Sequence, residues 1–148
     1  MKKVMFVCHG NICRSPMAEF VMKDLVKKVG REKEFLIDSS ATSTEEIGNG
    51  IYPPAKRKLI EKGVPFTEHY ARQIKKAEYD DWDLFICMDG ANVRNLMRIF
   101  ENDKKNKVKK LLDYTGHGGD VADPWYTGNF ENTYLDVLEG CKKLLEIL

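Results

Sequence analysis

The chain has 148 residues, 43% of them hydrophobic, which is enough to bury the core of one domain. Its 24 lysines and arginines are balanced by 23 aspartates and glutamates, and the net charge of +1 gives no overall field for nucleic acid or an acidic membrane. We therefore expect a single domain over residues 1–148 with no nucleic-acid or membrane partner, so any anion site must be local.

The N-terminus and the cysteines favour a cytoplasmic protein. The apolar run before Cys8 is too short for the core of a signal peptide, and no later run approaches the length needed to span a membrane. The other cysteines are Cys13, Cys87 and Cys141. Four scattered cysteines are unlike a secreted disulfide framework, so we expect reduced thiols.

Strand-like and helix-like runs alternate from the start of the chain. Lys3–Val7 is apolar and β-branched and predicts a strand, after which Pro16 opens a helical pattern. Phe35–Ser40 predicts a second strand, followed by a polar loop and by a helix over about 54–62 that Gly63 ends. The apolar face of the first helix is expected to carry Met17, Phe20, Val21, Leu25 and Val29.

The second half of the chain repeats the pattern. A short helical turn at Lys75–Tyr79 precedes the apolar run Asp83–Met88, which predicts a strand buried on both faces. A helix over Ala91–Phe100 and a more exposed strand over Lys107–Leu112 follow. A last helical stripe consists of Phe130, Tyr134, Val137, Leu138, Cys141, Leu144, Leu145 and Leu148.

This alternation predicts an α/β fold, a four-stranded parallel sheet with helices on both faces. Ligands in such folds bind beyond the carboxyl ends of the strands. Cys8 lies at such an end. Gly10 and Asn11, which tolerate left-handed backbone, separate it from Arg14 at the helix start.

The segment between this strand and helix has the composition of a phosphate-binding loop. Backbone N–H groups curled around a tetrahedral anion form a nest, and the following helix adds its positive dipole end. The same donors would stabilise a thiolate at Cys8. Arg14 can donate two parallel N–H bonds to phosphate oxygens, and Ser15 can donate its hydroxyl to the sulfur.

Other interpretations account for less of this segment. An ordinary buried thiol at Cys8 with a surface arginine leaves the surrounding glycine, asparagine, serine and proline unexplained. A metal site built from Cys8, His9 and Cys13 has poor chelate geometry and no second ligand cluster. An ATP-binding loop would need a glycine-lysine-serine pattern that is missing. We therefore expect neither a metal nor a cofactor.

Five motifs in order resemble the low-molecular-weight protein tyrosine phosphatases. Val7–Pro16 matches the family's Val-Cys-x-Gly-Asn-Ile-Cys-Arg-Ser-Pro, and the other matches are Asp38-Ser39 with Ala41–Ser43, Ala71–Ile74, Ile86–Asp89 and Asp123–Tyr126. The resemblance implies a flavodoxin-like three-layer sandwich. It also implies hydrolysis of phosphotyrosine and small aryl phosphates through a cysteinyl-phosphate intermediate, without a cofactor.

The resemblance also implies a role for each site residue. Cys8 is the expected nucleophile, Arg14 the phosphate-binding cation and Asp123 the general acid. Pro124 stiffens the backbone beside Asp123, and the two aromatic residues after it would form part of the substrate pocket. The remaining phosphate-binding residues are His9, Gly10, Asn11, Ile12, Cys13 and Ser15, and the pocket residues are Glu45, Trp125 and Tyr126.

Three further residues match supporting positions of the family. Ser39 and His69, together with Asn11 and Ser15, match a hydrogen-bond network behind the loop, although His69 also fits a surface histidine. Cys13 matches a second loop cysteine that can form a reversible disulfide with the nucleophile, although it also fits a plain spacer.

Two residues depart from the family's pattern. Glu45 stands where many members carry an aromatic residue beside the substrate ring, so it would weaken ring stacking and repel acidic peptides. His9 replaces a residue that is often apolar, and as a cation it would favour the thiolate or attract anions. Both residues bear on substrate preference rather than on the chemistry. The sequence indicates no oligomeric state.

Three rival functions use the same loop. Arsenate reductases of this fold need two further cysteines in a paired loop, whereas Cys87 and Cys141 are expected in the core. Arginine phosphatase activity is associated in the family with threonine at the position of Ile12. A phosphate-binding module without activity would be expected to lack the nucleophile or the acid, and this chain has both.

Overall fold

The computed structural model describes all residues, 1–148, and its centre is one four-stranded sheet. The strands are β1 (Lys2–Cys8), β2 (Phe35–Ala41), β3 (Leu84–Cys87) and β4 (Val108–Lys110), and their spatial order is β2-β1-β3-β4. All three neighbouring pairs are parallel. The expected four-stranded parallel sheet is therefore confirmed.

Helices cover both faces of the sheet, which confirms the three-layer arrangement. The α-helices are α1 (Arg14–Lys28), α2 (Pro53–Glu61), α3 (Gly90–Phe100), α4 (Pro124–Thr127) and α5 (Phe130–Ile147). Helices α1, α2 and α5 contact one another on one face, while α3 lies on the other against β3 and β4. No helix combines the length and the apolar character that a membrane crossing needs.

Strand β1 separates the two halves of the core because its side chains alternate between the faces of the sheet. Val4, Phe6 and Cys8 belong to a cluster of 25 buried residues on the α1, α2 and α5 face. Met5 and Val7 belong to a cluster of 9 on the α3 face. Residues 4–8 are thus buried on both faces, as a central parallel strand requires.

Two local expectations are wrong. Val29 is 57% exposed, because α1 ends at Lys28 and the chain turns away at Gly30, which has a φ of 73°. Strand β4 ends at Lys110, and Leu111 and Leu112 lie in a 3₁₀ turn (Leu111–Tyr114) instead. Both leucines are buried in the larger cluster, so their apolar character reflects packing against α5 rather than strand pairing.

The sheet topology brings three chain segments to one edge. Cys8 is aligned with Ala41 at the end of β2, and Val7 is aligned with Cys87 at the end of β3. The loops that follow these strands therefore meet at the carboxyl edge of the sheet, with β1 in the middle.

Candidate active site

The loop between β1 and α1 surrounds the sulfur of Cys8. The residue itself is only 3% exposed. The backbone N–H of Asn11 donates to Cys8 Sγ over 3.3 Å, and Ser15 Oγ lies 3.0 Å from the same sulfur. The Cys8 sulfur therefore accepts from the loop backbone and lies beside the Ser15 hydroxyl, close to the start of α1 at Arg14.

Asn11 shapes the loop, because its φ of 59° places it in the left-handed region. Its side-chain N–H groups donate to Ser15 Oγ over 2.7 Å and to Ser39 Oγ over 3.0 Å. Its Oδ1 accepts from the backbone N–H of Arg72 over 3.3 Å. His69 Nε2 lies 3.1 Å from the Asn11 carbonyl oxygen. The structure therefore brings Ser39 and His69 together behind the loop.

Glu19 completes this network and was missed by sequence reasoning. Its side chain is 5% exposed on α1, and it accepts from Ser39 Oγ over 2.6 Å and from Lys23 Nζ over 2.6 Å. His69 Nδ1 is 3.7 Å from the same carboxylate. The only signal in the sequence was a glutamate between Ala18 and Phe20, on a turn whose other residues are buried.

Arg14 is 3% exposed and lies between two carboxylates. Its Nη1 donates to Asp89 Oδ2 over 2.6 Å and to the Val121 carbonyl over 2.9 Å. Its Nη2 lies 3.5 Å from Asp123 Oδ2. Burial opposes the charge of Arg14, but the Cys8 sulfur and the Asp89 carboxylate outweigh it and raise the pKa of the guanidinium.

Asp89 is the second functional residue that sequence reasoning missed as part of the site. It caps the N-terminus of α3, where its carboxylate accepts from the Asn92 N–H over 2.8 Å. Burial raises the pKa of this carboxyl, but the hydrogen bond and charge of Arg14 prevail and hold the pKa below its ordinary value. Asp89 therefore remains ionised and orients Arg14.

Asp123 arrives from the other side of the site, on the short helix α4. It is the N-cap of that helix, and its Oδ1 accepts from the Trp125 backbone N–H over 3.0 Å. Its Oδ2 faces Arg14. Pro124 and the Asp123 cap start one helical turn, which the sequence did not predict and which Gly128 ends at a φ of 71°.

One pocket contains the side chains that the sequence grouped together. It is lined by Cys8, His9, Gly10, Asn11, Ile12, Cys13, Arg14, Glu45, Glu46, Asp123, Trp125 and Tyr126. Ser15, Ser39 and His69 lie behind the loop rather than in the pocket. Trp125 and Tyr126 are 53% and 85% exposed and form an aromatic part of the wall.

The mouth of the pocket carries the two residues that depart from the family's pattern. His9 Nε2 and Glu45 Oε2 lie within hydrogen-bond distance of each other, 3.0 Å apart, at the surface. Glu46, which the sequence analysis did not single out, packs against the backbone of Gly10, where a Cβ would meet its Cγ at 3.3 Å. The mouth is therefore acidic beside the aromatic residues.

Burial raises the pKa of each of the three remaining thiols. Burial, and then the charges of Cys8 and Asp123, raise the pKa of Cys13 to about 12. Burial also raises the pKa values of Cys87 and Cys141, which pack in the core. These three side chains are therefore protonated thiols at neutral pH. No cluster of three or more histidine, cysteine, aspartate or glutamate side chains is arranged to hold a metal ion.

The chain is similar to known proteins over nearly its whole length. A family model described as low molecular weight phosphotyrosine protein phosphatase matches residues 3–148. The chain is 40% identical to the low molecular weight protein-tyrosine-phosphatase YfkJ of Bacillus subtilis over 98% of this chain and 94% of the relative. The YfkJ crystal structure superposes with a TM-score of 0.96, at 39% identity over 99% of this chain and 94% of the other.

Two further solved structures are similar. A low molecular weight protein tyrosine phosphatase from Streptococcus pyogenes has a TM-score of 0.91 and 40% identity, covering 100% of this chain and 93% of the other. A Drosophila arginine phosphatase has a TM-score of 0.89 and 30% identity, covering 99% of this chain and 97% of the other.

Proposed function

This chain belongs to the low molecular weight phosphotyrosine protein phosphatase family, and we propose that it hydrolyses phosphotyrosine in proteins, and small aryl phosphates, with Cys8, Arg14 and Asp123 as its catalytic residues. The observation that carries the assignment is the position of these three side chains in one pocket. The Cys8 sulfur accepts from the Asn11 N–H and lies beside the Ser15 hydroxyl, and Arg14 is held by Asp89 beside Asp123.

In the first step the Cys8 thiolate attacks phosphorus in line with the leaving oxygen. A sulfur–phosphorus bond forms as the bond from phosphorus to the aryl oxygen breaks, and Asp123 gives its proton to that oxygen. Arg14 and the loop N–H groups stabilise the charge on the phosphoryl oxygens. The products are a cysteinyl-phosphate and a phenol.

In the second step water replaces the sulfur. The Asp123 carboxylate takes a proton from the water as its oxygen attacks phosphorus, and the sulfur–phosphorus bond breaks. Phosphate leaves, the Cys8 thiolate is restored and Asp123 is protonated again. Asn11, Ser15, Ser39, His69 and Glu19 hold the loop in the shape that both steps need.

Phosphotyrosine is favoured over the substrates of the rival functions. Ile12 stands in the pocket where the resemblance associates threonine with arginine phosphatases. Cys87 and Cys141 are both 0% exposed, so neither can relay a disulfide from Cys8 as an arsenate reductase requires. The proposal also places the enzyme in the cytoplasm, where its thiols stay reduced.

Hydrolysis of phenyl phosphate and of phosphoarginine by wild type, Cys8→Ser and Asp123→Ala tests this function. We expect turnover of phenyl phosphate but not of phosphoarginine, no turnover by Cys8→Ser, and a loss of about 10²–10⁴ in rate for Asp123→Ala. Asp120→Ala is the matched control, because Asp120 lies in the same segment but pairs with Lys110 on the surface. Unchanged turnover in Cys8→Ser would overturn the assignment.

A further inference from the structure

Tyr52 connects the two halves of the site, although neither its sequence context nor the proposed mechanism gives it a role. Its ring packs against Trp125, with the ring centroids 4.8 Å apart and the planes inclined by 53°. On its other side lies Phe130, at 6.1 Å and 30°. Tyr52 thus lies between α4 and the first residue of α5.

The backbone of Tyr52 is bound to the phosphate loop. Its N–H donates to the Ile12 carbonyl over 2.9 Å. Its own carbonyl accepts from the N–H groups of Ala55 and Lys56, over 2.9 and 3.1 Å, in the first turn of α2. Pro53 is the first residue of that helix, and its ring restricts its own φ. The backbone on the C-terminal side of Tyr52 is therefore restrained as well. The position of the Tyr52 ring is therefore defined relative to the loop that surrounds Cys8.

Trp125 links Tyr52 to Asp123, the proposed general acid. Its ring contacts Tyr52, and its backbone N–H is the donor that the Asp123 carboxylate accepts. Helix α4 has four residues, and a helix that short has little stability of its own in water. Trp125 is 53% exposed, and the one aromatic ring that its own ring contacts is that of Tyr52.

We propose that Tyr52 is a positioning residue for the general acid, holding Asp123 through Trp125 at a defined distance from the phosphate loop. The inference rests on the proposed function of Asp123. Because a proton is needed most when the leaving oxygen is strongly basic, loss of positioning should slow poor leaving groups and spare good ones. A loss that came merely from weaker folding would lower all rates by the same factor.

The test is kcat/KM of purified wild type and Tyr52→Ala for phenyl phosphate and p-nitrophenyl phosphate, because kcat/KM reports the step in which the aryl oxygen leaves. We expect Tyr52→Ala to lose about tenfold with phenyl phosphate, a fraction of the full contribution of a general acid, and about twofold or less with p-nitrophenyl phosphate. Tyr52→Phe should keep both rates, since the ring makes the contact.

Tyr79→Ala is the matched control. Tyr79 also packs against two aromatic rings, Phe85 at 6.0 Å and Phe100 at 5.1 Å, but in the cluster on the α3 face. Its replacement should change stability without changing the ratio of the two rates. In a protein that already carries Trp125→Ala, Tyr52→Ala should have little further effect on the ratio of the two rates, because Tyr52 acts on Asp123 through Trp125.

The outcomes separate the two proposals. Wild type that hydrolyses neither ester would reject the proposed function. Wild type that hydrolyses both, with an equal loss for both esters in Tyr52→Ala, would overturn the role of Tyr52. If Tyr52→Ala does not fold by circular dichroism, Tyr52→Leu keeps apolar volume while removing the aromatic contact. The same selective loss is then expected, and an equal loss again rejects the role.

Discussion

At Arg14, a buried guanidinium contacts two carboxylates, to which we assign different roles. Asp89 and the Val121 carbonyl occupy Nη1, so the rest of the guanidinium is left to face the pocket. Asp123 Oδ2 lies 3.5 Å from Nη2, on the other arm of the guanidinium. One ion pair therefore orients the guanidinium that we propose binds phosphate, while the other carboxylate is the one that we propose as the general acid.

The pairing of Asp89 with Arg14 predicts a pH-dependent contribution to stability. Arg14 holds the folded-state pKa of Asp89 below the ordinary 3.8. The stabilising contribution of the pair is therefore complete at pH values above 3.8, and it is lost as the pH falls through the lowered folded-state pKa. Asp89→Asn should therefore lower the free energy of unfolding at neutral pH, and the deficit should shrink toward low pH. Urea unfolding of both proteins at a series of pH values measures it.

Asp136→Asn is the contrasting control for this experiment. Burial and the charge of Glu139 raise the pKa of Asp136, so its ionised form is unfavourable in the folded state. This replacement should raise stability at neutral pH, and the gain should disappear on acidification. A deficit of Asp89→Asn that stayed constant with pH would contradict the role assigned to Arg14.

Glu45 at the mouth of the pocket predicts discrimination against acidic substrates. Its side chain is 68% exposed, so its effect should be of the order of a surface ion interaction, about 0.2–1 kcal/mol. Glu45→Gln should raise kcat/KM for a phosphotyrosine peptide with acidic neighbours by about 1.4-fold to fivefold. The rate with phenyl phosphate should not change, and added salt should diminish the difference.

Glu32→Gln is the control, because Glu32 precedes β2 at the opposite end of the sheet from the pocket. Equal rates for acidic and neutral peptides in wild type would contradict the assigned effect of Glu45.

Single residues differed in how well the sequence predicted them. Cys8, Arg14 and Asp123 were recognisable because each stands in a motif with a chemical reason for its neighbours. Glu19 and Asp89 act through partners 20 and 75 residues away in sequence, Ser39 and Arg14. The local sequence around an isolated glutamate in a helix, or around an aspartate after a strand, does not indicate which distant residue its carboxylate will bind.

At the scale of elements, α5 and the 3₁₀ turn at Leu111–Tyr114 are packed too closely for a side chain at Gly140. A Cβ there would meet Leu111 Cγ inside contact distance, with Cδ1 at 2.9 Å and Cδ2 at 3.0 Å. Leu111 is 0% exposed, so it has little room to move. The glycine thus allows α5 to cover the segment that leads to Asp123.

Gly140→Ala should therefore destabilise the protein by about 1–3 kcal/mol, the usual cost of overpacking a core. The measurement is the free energy of unfolding in urea. Gly116→Ala is the control, since a Cβ there meets nothing within 4 Å. Helix propensity alone predicts that replacing glycine by alanine raises the free energy of unfolding by about 1 kcal/mol. Such a rise would show that the close approach of Leu111 does not exclude a side chain at residue 140.

The sequence predicted elements well where periodicity and burial coincide, and less well at their ends. The five apolar residues of β1 and the stripe of α5 have clear periods. Val29 continued the apolar pattern of α1 although the helix had already ended, and Leu111 and Leu112 continued the pattern of β4 although they pack in a turn. Helix α4 was not predicted, because a single helical turn is too short to show a hydrophobic period.

At the scale of the whole molecule, β1 joins two buried clusters that lie on opposite faces of the sheet. We propose that residues 1–148 are one domain, so both clusters should unfold in one transition. In a Trp125→Phe variant, fluorescence reports Trp82 in the smaller cluster, and circular dichroism reports all the helices. The two transitions should coincide, and separate midpoints would contradict a single domain.

Bound phosphate should shift this transition as a unit. Phosphate at about 100 times its Kd should add about 2.7 kcal/mol to the free energy of unfolding in the wild type. Arg14→Lys should remove most of this shift, because lysine cannot donate the paired N–H bonds. If phosphate shifted the unfolding transition measured by fluorescence but not the one measured by circular dichroism, or the reverse, the site would not be coupled to the whole fold.

The central claim is that Cys8 carries the phosphoryl group between the two steps, and trapping that species tests it most directly. Asp123→Ala should still accept phosphate from p-nitrophenyl phosphate, whose leaving group needs little protonation, but it lacks the base for the attack of water. Mass spectrometry after rapid denaturation should find one phosphoryl group on the peptide that contains Cys8. A phosphoryl group on another residue, or turnover with Cys8 never modified, would contradict the mechanism.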